Sequence, residues 1–344
     1  MFRKSFRIGE RQVGEDNPCL FIAEAGVAHF GDMSLARDLV DLAAESKADV
    51  FKTQIFDVDE LISNDAADWK DRLRPRNLTL DQALELKERA ESRGMSFMAT
   101  AHDTSRLSWI AELDLPAIKV GSGEKGNPWF LRKLAEFGKP MIVSTGMYSN
   151  EEVLQLVKLM AQADVDQLAL LHCVTSYPTP ADDVNLAAME SMKDIFAGPV
   201  GYSDHTVDGL AVLGAVARGA KVIEKHITIL RDVPNAQDWR VSAGPEDLAQ
   251  LVSDVRRMEK MIGLREKKPA SCEVAGMDWA LKSVVVARDL SAGHVLSDGD
   301  LTAKRPGNGI PAAKLESLIG RTLRREVQAD TQLADDMLTE SINS

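Results

Sequence analysis

An alternation constrains this chain more than anything else in it. Eight short apolar, β-branched runs recur up to residue 228, separated by segments of helical period. They are FIAEAG (21–26), ADVFKTQ (48–54), SFMATA (96–101), AIKVGS (117–122), PMIVST (140–145), LALLHC (168–173), PVGYSD (199–204) and KVIEKHIT (221–228). Between the first two, MSLARDLVDLAAESK carries Leu35, Leu39, Leu42 and Ala43 on one helical face. Thr79 with Gln82, and Ser149 with Glu152, have capping-box spacing. Buried parallel strands read as near-continuous apolar runs. Eight such units in roughly 240 residues predict an α/β fold, the (β/α)8 barrel. An open doubly wound sheet is the rival, but FIAEAGVAHFGD lacks the GxGxxG turn of that class.

The domain reading follows from where the rhythm stops. Residues 1–263 are expected to form the barrel, with FRKSFRIG and RQVG as a hairpin over its floor. Residues 264–275, LREKKPASCEVA, read as a linker. Residues 276–344 lose the βα rhythm, and turns such as SAGH and SDGD predict a small β-rich domain.

A barrel gathers its chemistry at the C-terminal strand ends. Here those ends carry Glu24, Lys52 and Gln54, Thr100, Lys119 and Ser122, Ser144, His172, Asp204 and His205, and Glu224 and His226. Two lysines with Thr100, Ser122 and Ser144 favour an anion clamp, because a phosphate presents several oxygens to several donors. A Schiff-base lysine, or a lysine paired with a carboxylate, stays open at this point. His205 and His226 end neighbouring strands, which lie about 4.8 Å apart, so both imidazoles can meet one ion. Without CxxC or HExxH, an open divalent site suited to manganese is favoured over a closed zinc site, with hydrogen-bonding histidines as the alternative. Glu24, Glu124 and Glu224 are acid–base candidates, or else ion-pair partners of the lysines.

Charge narrows the partners. A net charge of −12 over 344 residues argues against nucleic acid, yet a local cluster of lysines can still hold a phosphorylated substrate. No apolar run reaches membrane-spanning length, and MFRKSFRIGE has no signal-peptide core. The three cysteines form no CxxC pair, so a reducing cytoplasm is expected.

Taken together, IAEAG, KVGSGE, GKPMIVSTGM, LLHCVTSYPTP, GYSDHT, EKHIT and KRPGNG, running in order from residue 22 to 309, resemble the sialic acid synthase family. These are phosphoenolpyruvate-dependent nonulosonic acid synthases with a C-terminal SAF, or antifreeze-like, domain. The resemblance implies condensation of phosphoenolpyruvate with an open-chain, N-acetylmannosamine-like aldehyde, releasing phosphate. It implies that Lys52, Thr100, Lys119, Ser122 and Ser144 hold phosphoenolpyruvate. His205 and His226 would bind a divalent cation, manganese, with magnesium or cobalt also suitable. Glu24 and Glu124 would lie near the reacting atoms, and Thr175, Tyr177 and Asp238 would join the substrate-binding set. Arg305 would reach the sugar in a domain-swapped homodimer. The twelve-residue linker fits that exchange, since it spans at most about 40 Å and a climb to its own barrel mouth would use most of it.

Departures from the family pattern cluster on the sugar side. AHFG, with Ala28 and Phe30, stands where NHNG is usual; ATA followed by His102 replaces STP; KTQIF replaces KFQTF; and PNAQD (234–238) replaces PGPD. The acceptor sugar is therefore expected to differ from plain N-acetylmannosamine, a 2,4-diacetamido-trideoxy hexose being one candidate. A class I aldolase is one rival function. Condensation with a sugar phosphate is another, for which no second lysine–serine cluster stands out.

Overall fold

The computed structural model describes residues 1–234, 236 and 238–339. It forms two compact units, Met1–Gly263 and Leu264–Ser344. The first opens with a hairpin, β1 (Ser5–Ile8) antiparallel to β2 (Arg11–Gly14). Eight parallel strands follow: β3 (Leu20–Gly26), β4 (Val50–Ile55), β5 (Ser96–Ala101), β6 (Ile118–Val120), β7 (Met141–Ser144), β8 (Leu168–Cys173), β9 (Val200–Asp204) and β10 (Val222–His226). Their order is β5-β4-β3-β10-β9-β8-β7-β6. β10 pairs with β3, so the last strand returns to the first and the sheet curls into a nearly closed (β/α)8 barrel, with β5 and β6 flanking the seam.

Two apolar layers hold the barrel. Outward residues such as Phe51, Phe97, Val143 and Leu170 pack under the helices. Inward residues, including Leu20, Ile22, Val50, Met98, Ile142 and Leu171, form a separate cluster with Phe6, Ile8 and Val13 of the hairpin. The hairpin therefore plugs the barrel interior from its N-terminal end, and polar inward side chains are left to the opposite mouth.

Both capping boxes form, Thr79 with Gln82 and Ser149 with Glu152. The helix Met33–Glu45 buries Leu39 and Ala43 of the expected face most deeply, together with Ala36 and Val40, and leaves Leu35 and Leu42 half-buried. Those two leucines pack against the same core from its edges.

In the second unit, β11 (Ser283–Val286) pairs antiparallel with β12 (Leu301–Lys304). Val284, Val286, Leu290, Leu296, Leu323 and Leu333 lie in its core, and single bridges such as Leu290 with Val327 tie its turns together. The linker expected through residue 275 is shorter than that. A helical turn begins at Ser271 and the helix Val274–Ala280 follows, because Gly307 donates its backbone N–H to the Asp278 carbonyl at 2.6 Å and docks the helix on the KRPGNG loop. No helix among the described residues is long and apolar enough to cross a membrane.

Candidate active site

Strand register does the first positioning. It sets Glu24 opposite Lys52, Gln54 opposite Thr100, and His226 opposite Glu24, all at the mouth above the apolar plug. They border an inner cavity of about 170 Å³, which Lys119, Ser122, Ser144, Thr175, His205 and Glu224 also line.

The two lysines are buried in unlike settings. Lys52 Nζ lies 2.7 Å from Glu24 and 3.6 Å from Glu224, and donates to Thr100 Oγ1 at 3.1 Å. Burial works to lower its pKa, but the carboxylates of Glu224 and Glu24 prevail and leave it raised. Lys119 Nζ donates to Ser144 Oγ at 2.8 Å and to the Val120 carbonyl at 3.1 Å, with Glu224 at 3.4 Å. There burial, aided by the positive charge of Lys52, outweighs Glu224 and lowers the pKa. Glu224 stands between both lysines and accepts from Ser203 Oγ at 3.2 Å. Burial works to raise its pKa, but Lys119 and then Lys52 overcome this and hold it at about 2. Glu224 thus pairs with both lysines, the alternative that sequence alone left open beside an acid–base role.

Ser122 Oγ accepts from the Gly146 backbone N–H at 2.9 Å. A Cβ at Gly146 would press into Thr175 Oγ1 and stand 2.7 Å from Ser122 Oγ, so this glycine of STGM keeps two cavity hydroxyls in place.

His205 and His226 have ring centroids 5.6 Å apart, with the Tyr177 ring 4.0 Å from the first and 5.8 Å from the second. His205 donates through Nδ1 to the Val174 carbonyl at 2.7 Å, which leaves Nε2 with a lone pair. That Nε2 accepts from the Tyr177 hydroxyl at 2.9 Å. Burial, with a smaller contribution from His226, lowers the His205 pKa to about 4, so the ring is neutral near pH 7. The donor set fits a divalent ion held by two imidazoles, provided Tyr177 releases Nε2. No cluster of three or more His, Cys, Asp or Glu ligands occurs among the described residues.

An adjoining cavity of about 640 Å³ shares Gln54, His102, Gly123, Tyr177 and His226 with the inner one, and adds Glu124 and Asp238. Burial pushes the Glu124 carboxyl up against an opposing hydrogen bond, the 2.8 Å contact from Asn127 Nδ2. Arg72, Arg76 and Trp69 also line this outer cavity. Sequence reading passed over them because they lie between β4 and its return helix; the basic run WKDRLRPR was the available signal.

Two strand-end residues have structural duties. His172 Nε2 meets the Val184 carbonyl at 2.8 Å. Asp204 is buried, pairs with Lys225, and accepts from Tyr202 and Thr206, which anchors the loop after β9. Arg305 lies in the second unit, where its Nε donates to the Ala280 carbonyl at 3.0 Å and its guanidinium sits 5.9 Å from the Trp279 ring centroid.

Comparison with known proteins supplies the lineage. The NeuB family model matches residues 39–267, and the SAF domain model matches residues 282–339. The chain belongs to the NeuB family. This NeuB-family chain is 36% identical over 326 residues to the N,N'-diacetyllegionaminic acid synthase of Campylobacter jejuni, covering 90% of this chain and 97% of that protein. It is 32% identical over 343 residues to the human N-acetylneuraminate-9-phosphate synthase, covering 95% of each. The solved N-acetylneuraminic acid synthetase of Leptospira borgpetersenii serovar Hardjo-bovis, in complex with citrate, matches with a TM-score of 0.74 at 33% identity, covering 79% of this chain and 95% of that one.

Of the departures from the family pattern in this NeuB-family chain, Thr53, Ile55, Ala99 and Ala101 are buried in β4 and β5, while Ala28, Phe30 and His102 fall around the outer cavity. Ala28 and Phe30 line it, Arg76 stacks 4.8 Å from the Phe30 ring centroid, and His102 borders both cavities. In PNAQD, Asn235 and Gln237 lie outside the described residues.

Proposed function

We propose that the chain condenses phosphoenolpyruvate with an open-chain, N-acetylmannosamine-like amino sugar, giving a nonulosonic acid and inorganic phosphate. One observation carries this reading: two buried lysines and three hydroxyls converge on one cavity beside two buried imidazoles. Lys52, Thr100, Lys119, Ser122 and Ser144 bind phosphoenolpyruvate, with Thr175 alongside and Glu224 as the countercharge that keeps both lysines in position. The acceptor occupies the outer cavity against Tyr177 and Asp238.

Carbon 3 of the enolpyruvate attacks the aldehyde carbon and forms the new carbon–carbon bond. Carbon 2 is left electron-poor, water adds there, and the bond from carbon 2 to the phosphate oxygen then breaks. Glu124, its carboxyl pushed up by burial, supplies the proton to the aldehyde oxygen. Glu24, oriented by Lys52 and Gln54, accepts the proton of the attacking water. A divalent cation, preferably manganese, held by His205 and His226 would polarise the aldehyde when bound.

The legionaminic acid synthase relatives support a 2,4-diacetamido hexose as acceptor. Arg305 is assigned to the sugar of a partner's barrel in a swapped homodimer. The cytoplasm suits Cys19, Cys173 and Cys272, which are all unpaired. The test is phosphate release from phosphoenolpyruvate with manganese and a panel of amino sugars, followed by product mass. Absence of release with every acceptor overturns the reading.

A further inference from the structure

Glu124 stands on the loop after β6, and its carboxyl is fixed by the start of the next helix, Pro128–Ala135. Asn127 is the N-cap of that helix. Its Oδ1 accepts from the Phe130 backbone N–H at 3.2 Å, and its own backbone N–H donates to the Glu124 carbonyl at 3.1 Å. Pro128 at the first helical position, with Phe130 and Leu131 buried in the core, holds the cap in place. A backbone N–H only donates, so the amide atom facing it is the oxygen, and the NH2 is turned the other way. There Nδ2 donates to Glu124 Oε2 at 2.8 Å. The other oxygen, Oε1, accepts no hydrogen bond from the described residues and keeps accessible surface, on a side chain that lines the outer cavity.

No neighbouring charge competes for this carboxyl. Lys125, next along the loop, pairs instead with Glu152 at 2.8 Å. Tyr148 faces Glu124 from the loop after β7 and stays a neutral phenol, pushed up to about 12 by burial first and then by Glu124 and Glu152. Arg72, Arg76, His102, Tyr177, His226 and Asp238 line the same cavity, yet burial and the Asn127 contact are what set the Glu124 carboxyl.

We infer that Asn127 is a positioning residue that decides which oxygen of Glu124 carries the proton given to the aldehyde. The inference rests on the proposed function, in which Glu124 is the acid. A protonated carboxyl has one carbonyl oxygen and one hydroxyl. The amide N–H engages Oε2 as the carbonyl, so the proton sits on Oε1, the oxygen with room to meet the acceptor. As carbon 3 attacks, the O–H bond at Oε1 breaks and its proton passes to the aldehyde oxygen. The carboxylate left behind keeps its bond from Asn127, which strengthens as negative charge reaches Oε2.

The experiment is steady-state kinetics against pH on full-length wild type, N127G, N127D and E124Q, each checked by its melting curve. Glycine and aspartate are both accepted at an N-cap, so the helix start survives while the donor is lost. The N–H favours the ionised carboxyl, so losing it raises the Glu124 pKa. An acid works only while protonated. The alkaline limb of kcat should therefore move to higher pH in N127G, and further in N127D, where a second carboxylate faces the first. On the plateau kcat should fall about tenfold or more, part of the roughly 100-fold or greater gain that a positioned acid supplies, with the KM for phosphoenolpyruvate unchanged. E124Q should lose the limb. Two cap variants keep the measurement decisive if one of them fails to fold. Wild-type kcat and limb in a folded N127G or N127D overturn the inference and leave Glu124 as the acid. A fall in kcat that is equal at every pH, as a merely structural role would give, overturns it likewise. An E124Q that keeps both kcat and limb removes Glu124 from the mechanism and the inference with it. A wild type that releases no phosphate from phosphoenolpyruvate overturns the proposed function as a whole.

Discussion

Glu24 and Lys52 stand opposite one another on β3 and β4, and their charged ends meet at 2.7 Å with both side chains almost wholly buried. Two charges withdrawn from water are tolerable here because each neutralises the other. Removing one leaves the other stranded, at a cost of about 3–5 kcal/mol. Lys52→Met should therefore lower unfolding free energy by about that amount in urea titrations, and Lys52→Met with Glu24→Gln should restore part of the loss. Equal stability of the single and double variants would contradict the pairing.

Glu224 gives stability a pH signature. Its carboxyl is held at about 2 in the folded protein against an ordinary 4.5, so the folded state binds its proton later than the unfolded chain does. The contribution is complete above pH 4.5 and disappears as pH falls toward 2. The stability difference between wild type and Glu224→Gln should shrink across that window, measured by denaturant unfolding at several pH values. A difference independent of pH would mean that Glu224 is not held ionised by the lysines.

Lys119 is the sharpest test of the anion clamp. Lys119→Met should raise the KM for phosphoenolpyruvate by about tenfold to a hundredfold, the size of a lost charge-assisted contact. Its lowered pKa also suits a Schiff base, the chemistry of the aldolase alternative. Borohydride with pyruvate or an aldehyde should leave the protein mass unchanged. A trapped adduct at Lys119 would replace the condensation mechanism.

Chelation probes the imidazoles. EDTA should abolish turnover and manganese should restore it, while His205→Ala should lower bound metal in equilibrium dialysis. Full activity in rigorously metal-free enzyme would exclude the assignment.

Arg305 is tested by complementation. Mixing His205→Ala chains with Arg305→Ala chains should recover about a quarter of wild-type activity, on random reassortment in a two-fold dimer. In a swapped mixed dimer, one site receives both defects and the other neither. Verified mixed dimers that stay inactive would place Arg305 in its own chain's site or in none.

Much of this was legible in the order of residues. The eight strands, both capping boxes and the hairpin were readable because they depend on local periodicity and short-range hydrogen bonds. Local pattern put Leu35, Leu39, Leu42 and Ala43 on the face that packs against the core, but not Ala36 and Val40 at its most buried part, since spacing defines a stripe and not which part of it touches the barrel. It also ran the linker into a helix whose docking depends on Gly307, far along the chain.

For the site, sequence by itself determined which groups stand at strand ends, because side chains alternate with period two and eight parallel strands point their C-termini the same way. Only the tertiary structure decided what those groups are to each other. Glu224 lies on β10, yet it sits between Lys52 of β4 and Lys119 of β6, because closing the sheet brings side chains from across the barrel within 3.6 Å. The same closure brings up the carboxylates that raise the pKa of Lys52 against burial, while the desolvation it imposes lowers that of Lys119 and leaves the Nε2 of His102 without a partner. Those outcomes depend on distances across a closed barrel, which no spacing along a chain encodes.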